Sequence, residues 1–549
     1  MKNFASGARF AALSLALALA TAFPALPTFA QTPTTSQLKE TVVSATRTRT
    51  RTRTPTRADE LVTDVVVINR AEIEKSAGRT LPEILARVPG VQFSSNGGLG
   101  KSSFINIRGS EARHTILLID GVRYGSATLG TPIWDNIPVD MIERIEILKG
   151  PASALYGSEA VGGVVQIFMR KGVKGFNPYG SVSLGGEKFR QVGAGLTGGT
   201  DDVSYALGVQ KTREAGFSAP NARVPFSFFN PDRDGFDQNA VNASLAYQIN
   251  AAWKVDAGLV YADSVNHFDD GLIRDTRSAG LTTVTQLRYS QSVDSSQAIE
   301  TAFLPSLFKT TQNQWTWQND IDTPIGVALA GVEHLTQKVD SSNVYTVNKR
   351  DVTSYFLGLN GNAGKHSWQA NVRNDNNPQF GTASTGFAGY GFSLTPAWRV
   401  NASYGTSFVA PSFNQLYFPA SATFKGNPLL QPERGCNTDL GVAWSEAGQT
   451  VKLVKYDNKI TDIIATVGIM PVNFSRGRID GVTLAYDGSF GPLALRGSVD
   501  AMNPRNEATG KLLPRRAGQG QQPDQQTVRN HFGLQPAGPC CLSYLALSA

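Results

Sequence analysis

From about residue 175 to residue 517 the chain alternates between apolar and polar or small residues. Val203, Tyr205, Leu207 and Val209 are interleaved with Ser204, Ala206, Gly208 and Gln210, and Val241, Ala243, Leu245, Tyr247 and Ile249 with Asn242, Ser244, Ala246 and Gln248. Similar runs surround Trp368, Ala370 and Val372, and again Leu493, Leu495 and Val499. A period of two predicts strands with one apolar face. In a soluble sandwich that face is core, whereas in a membrane barrel it meets lipid and the polar face lines the lumen. Alternation alone does not choose between them. Between Ser278 and Phe308 the pattern weakens and Pro305 interrupts it, so strands are poorly defined there.

The preceding stretch, residues 59–174, has a different texture and predicts a compact α+β domain. Val65 to Ile68 forms a short apolar run, and residues 71–76 read as a helical turn. Thr80 with Glu83 three positions on is a capping box for a helix that Val88, Pro89 and Gly90 end. Residues 104–109 and 116–122 are strands, the second closed by an Asp120-Gly121 turn. Residues 144–167 read as strand, turn, short helix and strand, in which Gly162 and Gly163 allow backbone to approach backbone.

The N-terminus decides where such a chain goes. Lys2 and Arg9 precede an apolar run from Phe10 to about Ala22, followed by Pro24, Pro27 and the small residues Thr28 and Ala30. This is the pattern of a secretory signal peptide, residues 1–30, cut after Ala30. No later stretch is long and apolar enough for a spanning helix, which leaves a periplasmic protein or a membrane β-barrel. Composition fits many strands joined by polar loops: 54 Gly, 17% charged residues and 9% aromatics among 549 residues. Of the net charge of +7, Lys2 and Arg9 fall in the leader, and the remainder is too small and dispersed for a nucleic-acid surface. Cys436, Cys540 and Cys541 make no spaced framework.

Residues 31–58 lie between leader and domain. They begin Pro/Thr-rich and contain the β-prone segment Glu40, Thr41, Val42, Val43, Ser44, Ala45, Thr46 and Arg47, then arginines alternating with threonines up to Arg53. Such a segment forms an internal strand or adds itself to the sheet edge of a partner.

Five ordered blocks then carry a specific resemblance: residues 85–91, 105–109, 118–122, 146–151 and 155–167. In this order they resemble the plug signatures of TonB-dependent outer-membrane receptors, and residues 40–47 resemble that family's TonB box. Residues 404–417 and 426–433 resemble its late-barrel blocks, and the nearest branch is the cobalamin transporters. The resemblance implies an all-β outer-membrane antiparallel barrel of about 22 strands, with the N-terminal α+β plug domain inside it. It also implies import of cobalamin or related corrinoids across the outer membrane of a Gram-negative bacterium. The implied partner is TonB, acting with ExbB and ExbD on residues 40–47; a siderophore or haem receptor is the alternative. Ligand contacts are expected at the plug apices, among them Ser94, Ser95, Asn96, Arg123 and Tyr124.

The same branch carries calcium on loop aspartates, and Asp232, Asp234, Asp263, Asp269 and Asp270 stand at matching positions. Calcium takes six to eight oxygen ligands, which paired carboxylates from neighbouring loops supply. Residues 518–549 depart from the family pattern and hold no strand of the expected length. A truncation or frameshift is the simplest expectation, and a non-functional copy its corollary. An enzyme is not expected: His114, His267, His334, His366 and His531 form no i, i+4 metal pair, and no nucleophile elbow opens a helix.

Overall fold

The computed structural model describes residues 62–76, 79–218, 231–250, 254–268, 271–284, 287–301, 306–474, 476–490, 493–507, 509–510 and 542–548. Residues 40–47, the expected partner-binding segment, lie outside these.

The α+β domain is built on a five-stranded sheet, in the order Asp64–Ile68, Ile142–Lys149, Gly163–Met169, Thr115–Ile119 and Val122–Arg123. Only the pairing of Thr115–Ile119 with Gly163–Met169 is parallel. The central strands read as continuous apolar runs because both faces are covered. On one face Leu117, Ile119, Ile145, Ile147, Val165 and Ile167 join Ile73, Leu81, Ile84, Leu85 and Trp134 in the main core. On the other, Ile116, Leu118, Leu148 and Val164 meet Leu329 and Phe356 of the barrel wall. Helices Arg70–Glu74 and Leu81–Leu85 both begin with a reciprocal capping box, Asn69 with Glu72 and Thr80 with Glu83.

Two glycine positions set the close approaches. Asp120 and Gly121 both have positive φ, 48° and 84°, as their tight turn requires. A β-carbon on Gly163 would lie 2.2 Å from the carbonyl oxygen of Leu148, a main-chain atom fixed in the adjacent strand. Gly163→Ala is therefore expected to destabilise the domain by about 1–3 kcal/mol through overpacking, seen as faster amide exchange in Gly163–Met169.

An 18-stranded antiparallel sheet follows, running in chain order from Gly175–Leu184 to Leu542–Ser548. Exposure alternates along its strands. Leu207 (46%) and Val209 (49%) are exposed while Ala206 and Gln210 are buried, and Val372 is exposed between the buried Asn371 and Arg373. The polar face thus lines the lumen around the α+β domain, and the apolar face, with Trp315 and Trp317, points outward. Strand Leu287–Thr301 pairs along most of its length with Ser306–Thr323, so the weakened alternation there does not break the sheet. Pro305 falls between the two, outside the described residues. Leu542–Ser548, shorter than the other strands of the sheet, pairs with Leu493–Asn506.

The two ends of the barrel differ. At one, hairpins close over connections such as 324–325, 364–365 and 447–448; at the other they span 215–235, 410–432 and 462–476. Short turns mark the periplasmic side and long loops the outside.

Candidate functional site at the plug and barrel interface

Two tips of the inner domain reach the outer end of the barrel. The first is the hairpin of Val91–Ser95 and Ser103–Ile107. Its turn closes through Asn96 N–H donating to the Ser102 carbonyl at 3.1 Å. Lys101 anchors it, donating to the His267 carbonyl with its ammonium 4.4 Å from the Phe268 ring centroid. A side chain at Gly100 would collide with Phe236 and Asn266. Ser94, Ser95 and Asn96, expected as ligand contacts, are half-buried on this hairpin.

The second tip, residues 127–130, rises from the pair Gly125–Ser126 and Thr131–Pro132. It meets helix Phe413–Tyr417 of the long loop 410–432, where Phe413 N–H and Asn414 N–H donate to the carbonyls of Ala127 (3.3 Å) and Thr128 (3.1 Å). Arg123 and Tyr124, also expected at this apex, lie buried below it. Arg123 pairs with Glu159 at 2.7 Å and donates to the Tyr156 carbonyl at 2.9 Å. Turn signals place a tip in a sequence, but not the depth of the residues leading into it.

Beneath the second tip two cavities of about 20 Å³ each share Arg123, Glu159, Gln337 and Arg350. Each holds about one water. Arg350 is held by the Pro411 carbonyl (2.9 Å) and Gln337 Oε1 (3.1 Å), and its guanidinium lies 4.9 Å from the Phe413 ring centroid. On the same wall Arg373 bridges Glu333 (2.8 Å) and Asp375 (2.7 Å). Loop 410–432, wall and plug therefore meet at Arg350.

Two buried ionic clusters fasten plug to barrel. Glu433, fully buried, accepts from Arg113, from His114 Nε2 at 2.6 Å and from Ile464 N–H at 2.6 Å. Because His114 Nδ1 accepts from Glu111 N–H (3.3 Å), Nε2 carries the proton given to Glu433. Deeper in the barrel, Arg108 bridges Asp439 (2.7 Å) and Asp64 (3.2 Å), and Lys149 also pairs with Asp64 (2.7 Å). Burial alone raises the Asp64 carboxyl, but Lys149 and Arg108 outweigh it and hold the group well below the usual carboxylate range. Asp500 adds a bond from Gly90 N–H at 2.9 Å. None of these partners was apparent from sequence, although Arg108 and the pair Arg113-His114 sit in or beside the plug blocks.

Of the five aspartates expected to hold calcium, the three among the described residues differ in exposure and in face. Asp234 is buried and Asp232 exposed at the end of loop 215–235. Asp263 sits on strand Lys254–Phe268 at the parity of the exposed Leu259 and Tyr261, opposite Asn239, and so belongs to the outer wall. Asp269 and Asp270 lie outside the described residues. Among the described residues no cluster of three or more His, Cys, Asp or Glu side chains is placed to hold a metal. One residue of offset along a strand changes the face, which is why Asp263 turns the other way from Ala262 and Ser264.

A family model for the TonB-dependent receptor plug domain matches residues 57–164, and one for the TonB-dependent receptor-like β-barrel matches residues 175–534. The chain belongs to the TonB-dependent receptors. It is similar to the vitamin B12 transporter BtuB of Photobacterium profundum, with 29% identity over 488 residues, 83% of this chain and 78% of that protein. The BtuB of Vibrio vulnificus is 28% identical over 489 residues, with the same coverage. In structure it resembles the siderophore receptor PirA of Acinetobacter baumannii, with a TM-score of 0.70, 18% identity and coverage of 83% and 82% of the two chains. This TonB-dependent receptor is therefore an outer-membrane transport receptor, in which a plug fills a barrel and ionic clusters hold the two together.

Proposed function

We propose that this receptor imports cobalamin or a related corrinoid into the periplasm. Similarity to vitamin B12 transporters along 83% of the chain carries this reading. Ligand binds from outside across the tips at residues 94–100 and 127–130 and the loops above them. TonB, driven by ExbB and ExbD, adds residues 40–47 to its own sheet and pulls. Several main-chain hydrogen bonds loaded together transmit that force to the plug.

Calcium belongs to the proposal, with Asp232, Asp234, Asp263, Asp269 and Asp270 as its candidate oxygen donors. A siderophore receptor is the second reading, favoured by the structural likeness to PirA. Calorimetry with cyanocobalamin, run with and without calcium, separates them: binding strengthened by calcium is expected, and absence of binding in both conditions overturns the corrinoid reading.

Val42→Pro removes a main-chain donor from the pairing with TonB. It is expected to abolish energised uptake while leaving ligand binding intact. Uptake at the unsubstituted rate would overturn the role given to residues 40–47.

A further inference from the structure

Six charged side chains, three of each sign, line the two water-sized cavities between plug and wall: Arg123, Glu159, Glu333, Arg350, Arg373 and Asp375. The charges balance, but they are shared unevenly. Arg373 holds two carboxylates, Glu333 at 2.8 Å and Asp375 at 2.7 Å, and Arg123 holds Glu159 at 2.7 Å. Arg350 makes no ion pair among the described residues and rests on neutral oxygens, the Pro411 carbonyl and Gln337 Oε1. A guanidinium gains roughly twice as much from a carboxylate as from a neutral acceptor. A stronger partner for Arg350 stands nearby, because Glu159 lines both of the same cavities, across a gap of about one water.

Two contacts hold Glu159 where it is. Its backbone stands at φ 84°, a conformation that a non-glycine residue keeps only where its surroundings impose it, and its N–H donates to the Phe408 carbonyl at 2.9 Å. Its carboxylate is taken by Arg123, which also donates to the Tyr156 carbonyl at 2.9 Å and so clamps strand Val122–Arg123 to the turn at 156–159. Arg350 is restrained by loop 410–432 instead. Pro411, at the root of that loop, accepts from it, and the Phe413 ring covers its guanidinium. With the loop seated on the plug tip 127–130, Arg350 faces Pro411 and Glu159 faces Arg123. Lifting the loop takes both the carbonyl and the ring away from Arg350.

We propose that Glu159 changes partner from Arg123 to Arg350 when loop 410–432 lifts from the plug tip, so that these three residues couple the loop to the plug. Charge is conserved in the exchange, since one arginine lacks a carboxylate before and after it. The two pairings are discrete arrangements of one element, which is what a physical coupling between separate sites requires. The turn at 156–159 loses the ionic part of its clamp. From that turn the chain runs directly into Gly163–Met169, the middle strand of the plug sheet, flanked by Ile142–Lys149 and Thr115–Ile119. The position of an outer loop thereby reaches the centre of the plug. Arg350 and Glu159 act as positioning residues, and neither has to touch the transported molecule. The inference rests on the chain being a transport receptor and is independent of its substrate.

The test needs no ligand. Phe413→Ala is introduced into the full-length receptor to loosen the loop, and amide exchange is followed at residues 127–130, 412–418 and 156–161. Exchange at 127–130 and 412–418 is expected to rise in every background, as the loop lifts. At 156–161, where Glu159 N–H donates to Phe408 and Val161 N–H to Glu159, it is expected to rise at least about fivefold beside the native Arg350. Adding Arg350→Gln, which leaves Glu159 with Arg123, is expected to cancel that rise, and Arg350→Lys, which keeps the charge, to restore it. An equal rise at 156–161 with and without the Arg350 charge, no rise beside the native Arg350, or no restoration by lysine would each overturn the proposal. Unaltered heat-modifiable mobility of the variants confirms that their barrels have folded.

Discussion

Glu433→Ala is expected to loosen the plug from the barrel wall by about 3–5 kcal/mol, the usual cost of stranding buried charge. Three donors converge on this carboxylate: the Arg113 guanidinium, His114 Nε2–H and Ile464 N–H. Without it Arg113 retains the half-exposed Glu111 and a long bond to the Ile464 carbonyl (3.3 Å), and the other two donors lose their acceptor in a water-poor interface. Hydrogen exchange should accelerate through residues 111–115 and 463–465 while strands on the far side of the barrel keep their protection. Glu433→Gln, which keeps an acceptor but not the charge, should fall between the two. If Glu433→Ala exchanged like the unsubstituted receptor, the carboxylate would not be fastening the plug.

The second large effect is expected at Arg108. It stands at φ 52°, a left-handed backbone that few non-glycine residues adopt, and its guanidinium, over the Tyr456 ring, joins Asp64 of the plug to Asp439 of the barrel. Arg108→Met keeps most of the side-chain volume and removes the charge, leaving Lys149 to face two buried carboxylates. A loss of about 3–5 kcal/mol is expected. Adding Asp439→Leu should recover part of it, because the second uncompensated charge is gone and an apolar pair replaces the ionic one. Chemical denaturation of the two variants measures both steps. No recovery in the double variant would show that Arg108 acts through its strained backbone rather than through Asp439.

Much of the architecture was legible because each part has its own burial pattern. Sheet strands covered on both faces, such as Thr115–Ile119, read as unbroken apolar runs, and barrel strands between lumen and lipid read as alternation. Thr80 and Glu83 announced their helix, and Gly163 announced a close approach whose partner, Leu148, only the fold reveals. What stayed hidden depends on register and on distance along the chain. Glu433 meets Arg113 across 320 residues, and nothing local in either segment points to the other. Asp263 shows the same limit in reverse: its nearness to other aspartates is local, whereas the parity that turns it toward the outer surface depends on the pairing of its strand.

The two small cavities at Arg350 bear on what the barrel does when it is idle. A wall of this many strands is wide enough to pass antibiotics, bile acids and dyes if its interior were clear. With the two cavities beside Arg350 each about the size of a single water, this part of the contact between plug and wall is closed to such compounds. Susceptibility to such compounds would then report on the seal itself, with no need for the transported molecule.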